Sequence, residues 1–318
     1  MHKDILKFYM SKKFLTIFFI LIFYILIIAY SDFNKFTENI FQFHFEYLPL
    51  ILGIIFASML VKGIRQKSLL KKIGIELSTK NSIILYLAGM SMIITPGGSG
   101  ELIKSYYLKK QNGYSQSKTF PLVFVERFYD LLAIVSIIFF TLILFQILEV
   151  FIVATFALGL LTVIFFSMRS KRFFSFLSRF MMKIPKISKF VKNIEESYPS
   201  FQSLTTSNIP KNWLLSLLAF GLDAVAVYFV FIGFGLDFDF VFTTMINFSS
   251  LLFGVLTLVP AGIGVTEVSF VSFLTQEGIS LSLATSIIIM IRLTSIWFAT
   301  GIGFITTKLL LSKKILSA

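Results

Sequence analysis

The sequence has no cysteine and only two histidines, His2 and His44, and charged residues make up just 14% of its 318 positions. Without cysteine there can be no disulfide, thiolate nucleophile or Cys-ligated metal or iron–sulfur centre. Both histidines precede or link apolar runs, so neither a His-ligated metal nor a His general base is expected. No cofactor follows from the residues. A G-x-x-x-x-G-K-[ST] loop is also missing, because Ile103 stands before Lys104 where that motif has glycine, which argues against direct drive by ATP.

Apolar residues fill the space: 56% of the chain is hydrophobic, 40 residues are Phe, and mean hydropathy is +0.87. Lipid is the solvent that suits such a composition, so an all-α, multi-pass integral protein of the inner or plasma membrane is expected. A crossing helix needs about 20 mostly apolar residues. Runs of that kind predict six crossings, at 14–30, 47–64, 119–147, 150–168, 213–235 and 282–309. The first follows Lys3 to Lys13 like a signal peptide. However, Ile27-Ile28-Ala29-Tyr30-Ser31 offers no small-x-small cleavage site, so a retained helix is expected.

Two further apolar stretches, 83–95 and 241–259, stop at glycine-rich breaks and resume as helices too short to cross. The first resumption carries Lys104, Lys109 and Lys110, so re-entrant hairpins that enter and leave on one face are expected. With that arrangement 26 of the 29 Lys and Arg, in 1–13, 62–80, 104–118, 169–211 and 308–318, fall on one side. By the positive-inside rule this is the cytoplasm, giving N-in and C-in topology, and the net charge of +13 reflects topology rather than nucleic-acid binding. Within the long cytoplasmic stretch 170–207, Phe173, Phe176, Leu177 and Phe180 recur at helical spacing opposite basic residues. An interfacial amphipathic helix and an ordinary basic linker both fit that pattern.

The two breaks share the pattern P-x-G-x-G: Pro96-Gly97-Gly98-Ser99-Gly100 and Pro260-Ala261-Gly262-Ile263-Gly264. Glu101 and Glu267 follow closely, the short helices end near Gly113 and Gly278, and Arg127 and Arg292 each lie fourteen residues beyond those glycines. Two copies with matched offsets predict a repeat, 14–147 and 150–309, inside one membrane domain spanning 1–318. Because the hairpins would open to opposite sides, the repeat is expected to be inverted, as in many secondary transporters.

At each break a half-helix begins with unpaired N–H groups, which favour anions. With Arg127, Arg292 and Lys104 nearby, the cavity would suit a phosphate or another anionic headgroup. The alternative is structural: Glu101 and Glu267 cap their half-helices, and Glu126, Arg127 and Asp130 form an internal ion network. Asp223, in mid-span, is expected either to face a partner such as Arg292 or to be protonated.

The segments Thr95-Pro96-Gly97-Gly98-Ser99-Gly100-Glu101-Leu102, Val125-Glu126-Arg127-Phe128-Tyr129-Asp130 and Val259-Pro260-Ala261-Gly262-Ile263-Gly264-Val265-Thr266-Glu267, with Arg292, resemble the flippase-like membrane domain of lysylphosphatidylglycerol synthase/flippase proteins. The resemblance covers nearly the whole chain. It implies a helical bundle that moves a phospholipid or a lipid-linked headgroup between leaflets, with membrane lipid as partner and a separately encoded lipid-synthesising enzyme as a possible supplier. Polyprenyl-phosphate sugars remain among the candidate substrates. Bifunctional members continue into an aminoacyl-transferase domain, whereas this sequence runs to Ala318 without one, so lysyl transfer is not expected of it. The expected function is therefore non-enzymatic lipid flipping. A small-anion transporter and an intramembrane lipid-modifying enzyme using Glu101, Glu267 or Asp223 are the competing readings, and oligomeric state is left open.

Overall fold

The computed structural model describes residues 22–95, 100–182, 191–206 and 208–312. Within them every regular element is helical, in the order α1 (22–30), α2 (Phe33–Gln42), α3 (Leu48–Lys72), α4 (Thr79–Met90), α5 (Ile103–Asn112), α6 (Gln116–Thr119), α7 (Pro121–Thr141) and α8 (Leu148–Arg169). There follow α9 (Lys171–Met182), α10 (Val191–Thr205), α11 (Ile209–Gly233), α12 (Phe240–Leu256), α13 (Val265–Gln276), α14 (Leu281–Arg292) and α15 (Phe298–Ser312). Among the described residues, four helical stretches are long and apolar enough to cross a membrane: Phe45–Lys72, Leu148–Arg169, Ile209–Gly233 and Leu281–Leu310. α7 is also long enough at 21 residues, but it carries Glu126, Arg127 and Asp130. The expected first crossing, 14–30, lies partly outside the described residues; its 22–30 portion is helical.

Local sequence explains several helix starts. Ser78, Asp239 and Ser280 start α4, α12 and α14 by accepting backbone N–H bonds on their side chains, which satisfies donors that the first helical turn leaves unpaired. Proline stands in the first turn of α3, α7 and α11, where its missing N–H costs nothing. One expected boundary moves. The crossing helix expected at 47–64 does not stop there: α3 continues unbroken to Lys72, because Leu69 and Leu70 extend its buried face two further turns. A second difference is internal: Leu281–Leu310 is one rod, but residues Leu293–Trp297 wind as a π-helix directly after Arg292.

α3 and α11 pack side by side through the middle of the molecule and join two apolar clusters. One centres on α7 and α8 with Phe220 of α11, the other on α14 with Ile51 and Ile55 of α3. Small residues allow the closest contacts, as is common where membrane helices approach each other. At Gly303 of α15 an added Cβ would stand 2.2 Å from the backbone nitrogen of Ser91, whereas at Gly301 it would meet nothing within 4 Å. Gly303→Ala is therefore expected to lower stability by about 1–3 kcal/mol, the usual range for overpacking. Gly301→Ala should be close to neutral. Thermal unfolding of both variants in the same detergent checks this, and equal midpoints would refute the close contact.

Each expected break is followed by a short helix packed against its predecessor, α5 on α4 and α13 on α12. Pro96, Gly97 and Gly98 lie outside the described residues. Gly100 is described, and its N–H donates to Thr95 Oγ1 at 2.5 Å. In the second break Pro260–Gly262 form one 3-10 turn, with positive φ at Leu258 (56°), Ala261 (52°), Gly262 (67°) and Gly264 (95°). Leu258 and Ala261 hold a left-handed conformation that L-residues with a Cβ reach only at a cost of about 1–2 kcal/mol each. Packing maintains the turn. Gly254 of α12 has no Cβ, and one placed there would lie 2.0 Å from Thr266 Oγ1.

Candidate functional site

In the first half, α7 presents three charged residues, Glu126, Arg127 and Asp130, within little more than one turn. Glu126 accepts from Lys104 Nζ at 2.5 Å, and Lys104 also donates to Glu101 at 3.0 Å. Arg127 Nη2 donates to the other oxygen of Glu101, and its Nη1 pairs with Asp130 at 3.2 Å. Asp130 in turn accepts from Arg65 Nη1 of α3 at 2.7 Å, and the same nitrogen donates to Ser216 Oγ of α11 at 2.6 Å. Lys104, Glu101 and Arg65 are fully buried, while the Arg127 side chain is 33% exposed.

The second half holds a smaller version. Arg292, at the end of α14, donates through Nε to Glu267 Oε1 at 2.7 Å. Glu267 Oε2 accepts the Gly264 N–H at 2.7 Å, so the carboxylate both caps α13 and pairs with the arginine. Tyr24 of α1 adds a hydroxyl bond to Glu267 at 3.2 Å. In both halves, then, the arginine of a long helix reaches the glutamate that follows the glycine-rich break.

Between the halves, Lys62 of α3 bridges to Asp223 of α11 at 2.9 Å, with its Nζ 4.2 Å from the Phe220 ring centre. Asp223 thus pairs with Lys62 rather than with Arg292. Glu126 likewise pairs with Lys104 and not within its own helix, whereas the Arg127–Asp130 contact follows the expected i, i+3 spacing. The ten groups are five cations and five carboxylates, so the assembly is neutral as folded. Attraction for an anion must then come from unspent N–H groups rather than from net charge.

Such groups exist. Among the described residues, Arg292 Nη2 and Arg127 Nε are buried and without hydrogen-bond partners, as are the hydroxyls of Ser58 and Thr266. All four residues line one cavity of about 730 Å³, in the size range of ligand pockets. Arg127, Arg292, Asp130, Asp223, Lys62 and Gly262 reach this cavity, while Glu101, Lys104 and Glu267 stand behind it as the arginines' and lysine's partners. Away from the charges its walls are apolar, running past Phe120, Phe124, Leu161 and Ile164 to Phe173 and Phe201. Phe124, Ile164, Phe173 and Leu258 line the cavity and are also exposed, Leu258 at 71%, so the cavity is open rather than enclosed along this apolar wall.

Lys62 and Arg65 were missed as site residues. Within Lys62-Gly63-Ile64-Arg65-Gln66-Lys67 they look like the basic end of a crossing helix. The available signal was the continuing apolar period through Leu69 and Leu70, which keeps positions 62 and 65 on an inward face.

The sequence family described as the lysylphosphatidylglycerol synthase TM region matches residues 14–303. A UPF0104 membrane protein of Pyrococcus horikoshii is 25% identical over 321 residues, covering 92% of this chain and 95% of its own. A UPF0104 membrane protein of Methanocaldococcus jannaschii is 24% identical over 310 residues, 88% of this chain and 89% of its own, and a second from that organism is 26% identical over 204 residues, 64% and 86%.

Proposed function

Since the chain belongs to the lysylphosphatidylglycerol synthase TM-region family, we propose that it is a flippase-like transporter of the cell membrane, moving an anionic phospholipid or lipid-linked headgroup between leaflets. The observation that carries this is the cavity's two-part chemistry. One end is lined by Arg127 and Arg292, which keep N–H groups without partners among the described residues, and the other is an aromatic and aliphatic wall that includes exposed residues. A phosphate at the arginines with acyl chains along the apolar wall uses both parts. A small inorganic anion would use only the first and would need no opening into lipid. The cavity chemistry also supports binding and movement over catalysis, because the carboxylates proposed as acid or base are tied up in ion pairs.

In this reading α4–α5 and α12–α13 are re-entrant hairpins, and α5, at 10 residues, is only about 15 Å long against a hydrocarbon core of about 30 Å. The matched Arg127–Glu101 and Arg292–Glu267 pairs support two inverted repeats, 14–147 and 150–309, that exchange access around the shared cavity. Both termini face the cytoplasm. The lipid would be made by a separately encoded enzyme.

Dithionite quenching of fluorescent anionic and zwitterionic lipids in reconstituted vesicles tests the proposal. Quenching of the anionic lipid beyond the half exposed in protein-free vesicles, lost in Arg127→Ala, is the expected result. Arg127 is suited to this because it is partly exposed and Glu101 keeps Lys104 when it is removed. If neither glycerophospholipids nor a fluorescent polyprenyl-phosphate lipid move faster than in empty vesicles, the lipid reading fails.

A further inference from the structure

Lipid transport leaves the outer face of α9 unexplained. α9 begins where α8, one of the helices long and apolar enough to cross a membrane, ends at Arg169. A single extended residue, Ser170, joins them, and its hydroxyl accepts the Phe173 N–H at 3.2 Å, so α9 leaves the α8 axis at once. Wherever α8 crosses, α9 therefore lies at the membrane–water boundary.

Packing fixes the rotation of α9. Phe174 is buried, with its ring centre 5.2 Å from that of Tyr198 and 5.4 Å from that of Phe201 on α10, and Ser178 is buried on the same side. At about 100° per residue, Phe173, Phe176 and Phe180 then form one strip turned away from α10. Phe176 is 63% and Phe180 56% exposed. Arg172 and Arg179, both exposed, border this strip along one flank, and α9 contains no acidic residue to neutralise them.

An apolar strip of phenylalanine facing water would be an aggregation hazard. Next to arginines at the end of a crossing helix, the same strip has a fitting occupant in the lipid surface itself. The rings would enter the acyl boundary by about 5–10 Å while the guanidinium groups stay at phosphate level. We infer that α9 docks on an anionic leaflet surface, with Phe173, Phe176 and Phe180 in the acyl boundary and Arg172 and Arg179 on lipid phosphates. Charge complementarity selects an anionic surface over a zwitterionic one. Phe173 also lines the cavity, so docking would hold one wall of its opening at the leaflet. This inference does not depend on transport.

The test uses the full-length protein in nanodiscs with acyl-brominated phosphatidylglycerol or phosphatidylcholine. The fluorescence of Phe176→Trp is read as the difference from the parent, which carries Trp213 and Trp297. Strong quenching is expected, greater with phosphatidylglycerol, with a preference of about five-fold per arginine at low salt that disappears in Arg172→Gln/Arg179→Gln. Ser175→Trp, on the polar side, should be quenched weakly. Absence of quenching by either lipid, with water-like emission or with the blue-shifted emission of a strip covered by a second copy, overturns membrane docking. Equal quenching by both lipids, unchanged by the arginine substitutions, overturns the anionic preference.

Discussion

Lys104→Met is expected to be among the most destabilising single substitutions in the chain, costing about 3–5 kcal/mol, the range for removing one partner of a buried ion pair. Lys104 is fully buried, with its ammonium held by Glu101 and Glu126 and 5.2 Å from the Tyr86 ring centre. Its stem lies against Gly89, where an added Cβ would stand 2.8 Å from Lys104 Cδ, so methionine can occupy nearly the same space. The loss is therefore electrostatic rather than steric. Glu101 keeps Arg127, but among the described residues Glu126 keeps no partner, because its Oε1 is already buried without one. A fall in thermal midpoint of at least about 5 °C in detergent should follow. Adding Glu126→Gln to Lys104→Met removes the stranded charge and should recover most of that loss. A single Lys104 variant that melts with the parent would mean that Lys104 and Glu126 are not a buried charged pair.

The same residue shows where sequence reasoning rests on an incomplete premise. By sequence alone, Lys104 is too costly to carry through hydrocarbon, which favours a hairpin. With carboxylates on both sides it never faces hydrocarbon, so its charge does not decide whether the segment crosses or turns back. Helix positions were legible where composition alone decides them. The run expected at 150–168 is α8 at Leu148–Arg169, and that expected at 213–235 is α11 at Ile209–Gly233. The Glu and Arg residues after the breaks were legible because their offsets repeat.

Lys62 and Arg65 were not legible as site residues. Their partners Asp223 and Asp130 lie 161 and 65 positions away, and counting cations by segment cannot separate a buried cation from one at a helix end. Neither the π-helix after Arg292 nor α2 in the short connection after α1 was foreseen. A π turn depends on how neighbouring helices constrain the backbone, and α2 has no buried residue from which a core-facing pattern could be read.

Arg292→Lys is expected to reduce transport by about 10-fold or more while leaving the protein inserted and folded. The reduction corresponds to losing one hydrogen bond to a charged group, about 1.5–3 kcal/mol. The substitution isolates one property. Lysine can still reach Glu267 and keep its charge paired, but it lacks the second, planar N–H that Arg292 keeps in Nη2 beside the cavity. Arg292→Ala tests something else, because it strands Glu267, whose remaining bonds from Tyr24 and Gly264 bring no counter-charge. That variant should unfold at lower temperature, so its inactivity would say little about the headgroup. The π turn at Leu293–Trp297 follows Arg292 immediately, and such turns recur at functional sites where a helix must offset its register to aim a side chain. Dithionite quenching and thermal unfolding of Arg292→Lys, run side by side, separate the roles. Normal melting with slow transport assigns the free guanidinium N–H to the lipid phosphate. Normal melting with the parent rate would leave Arg292 as the counter-ion of Glu267 alone, with Arg127 carrying the headgroup.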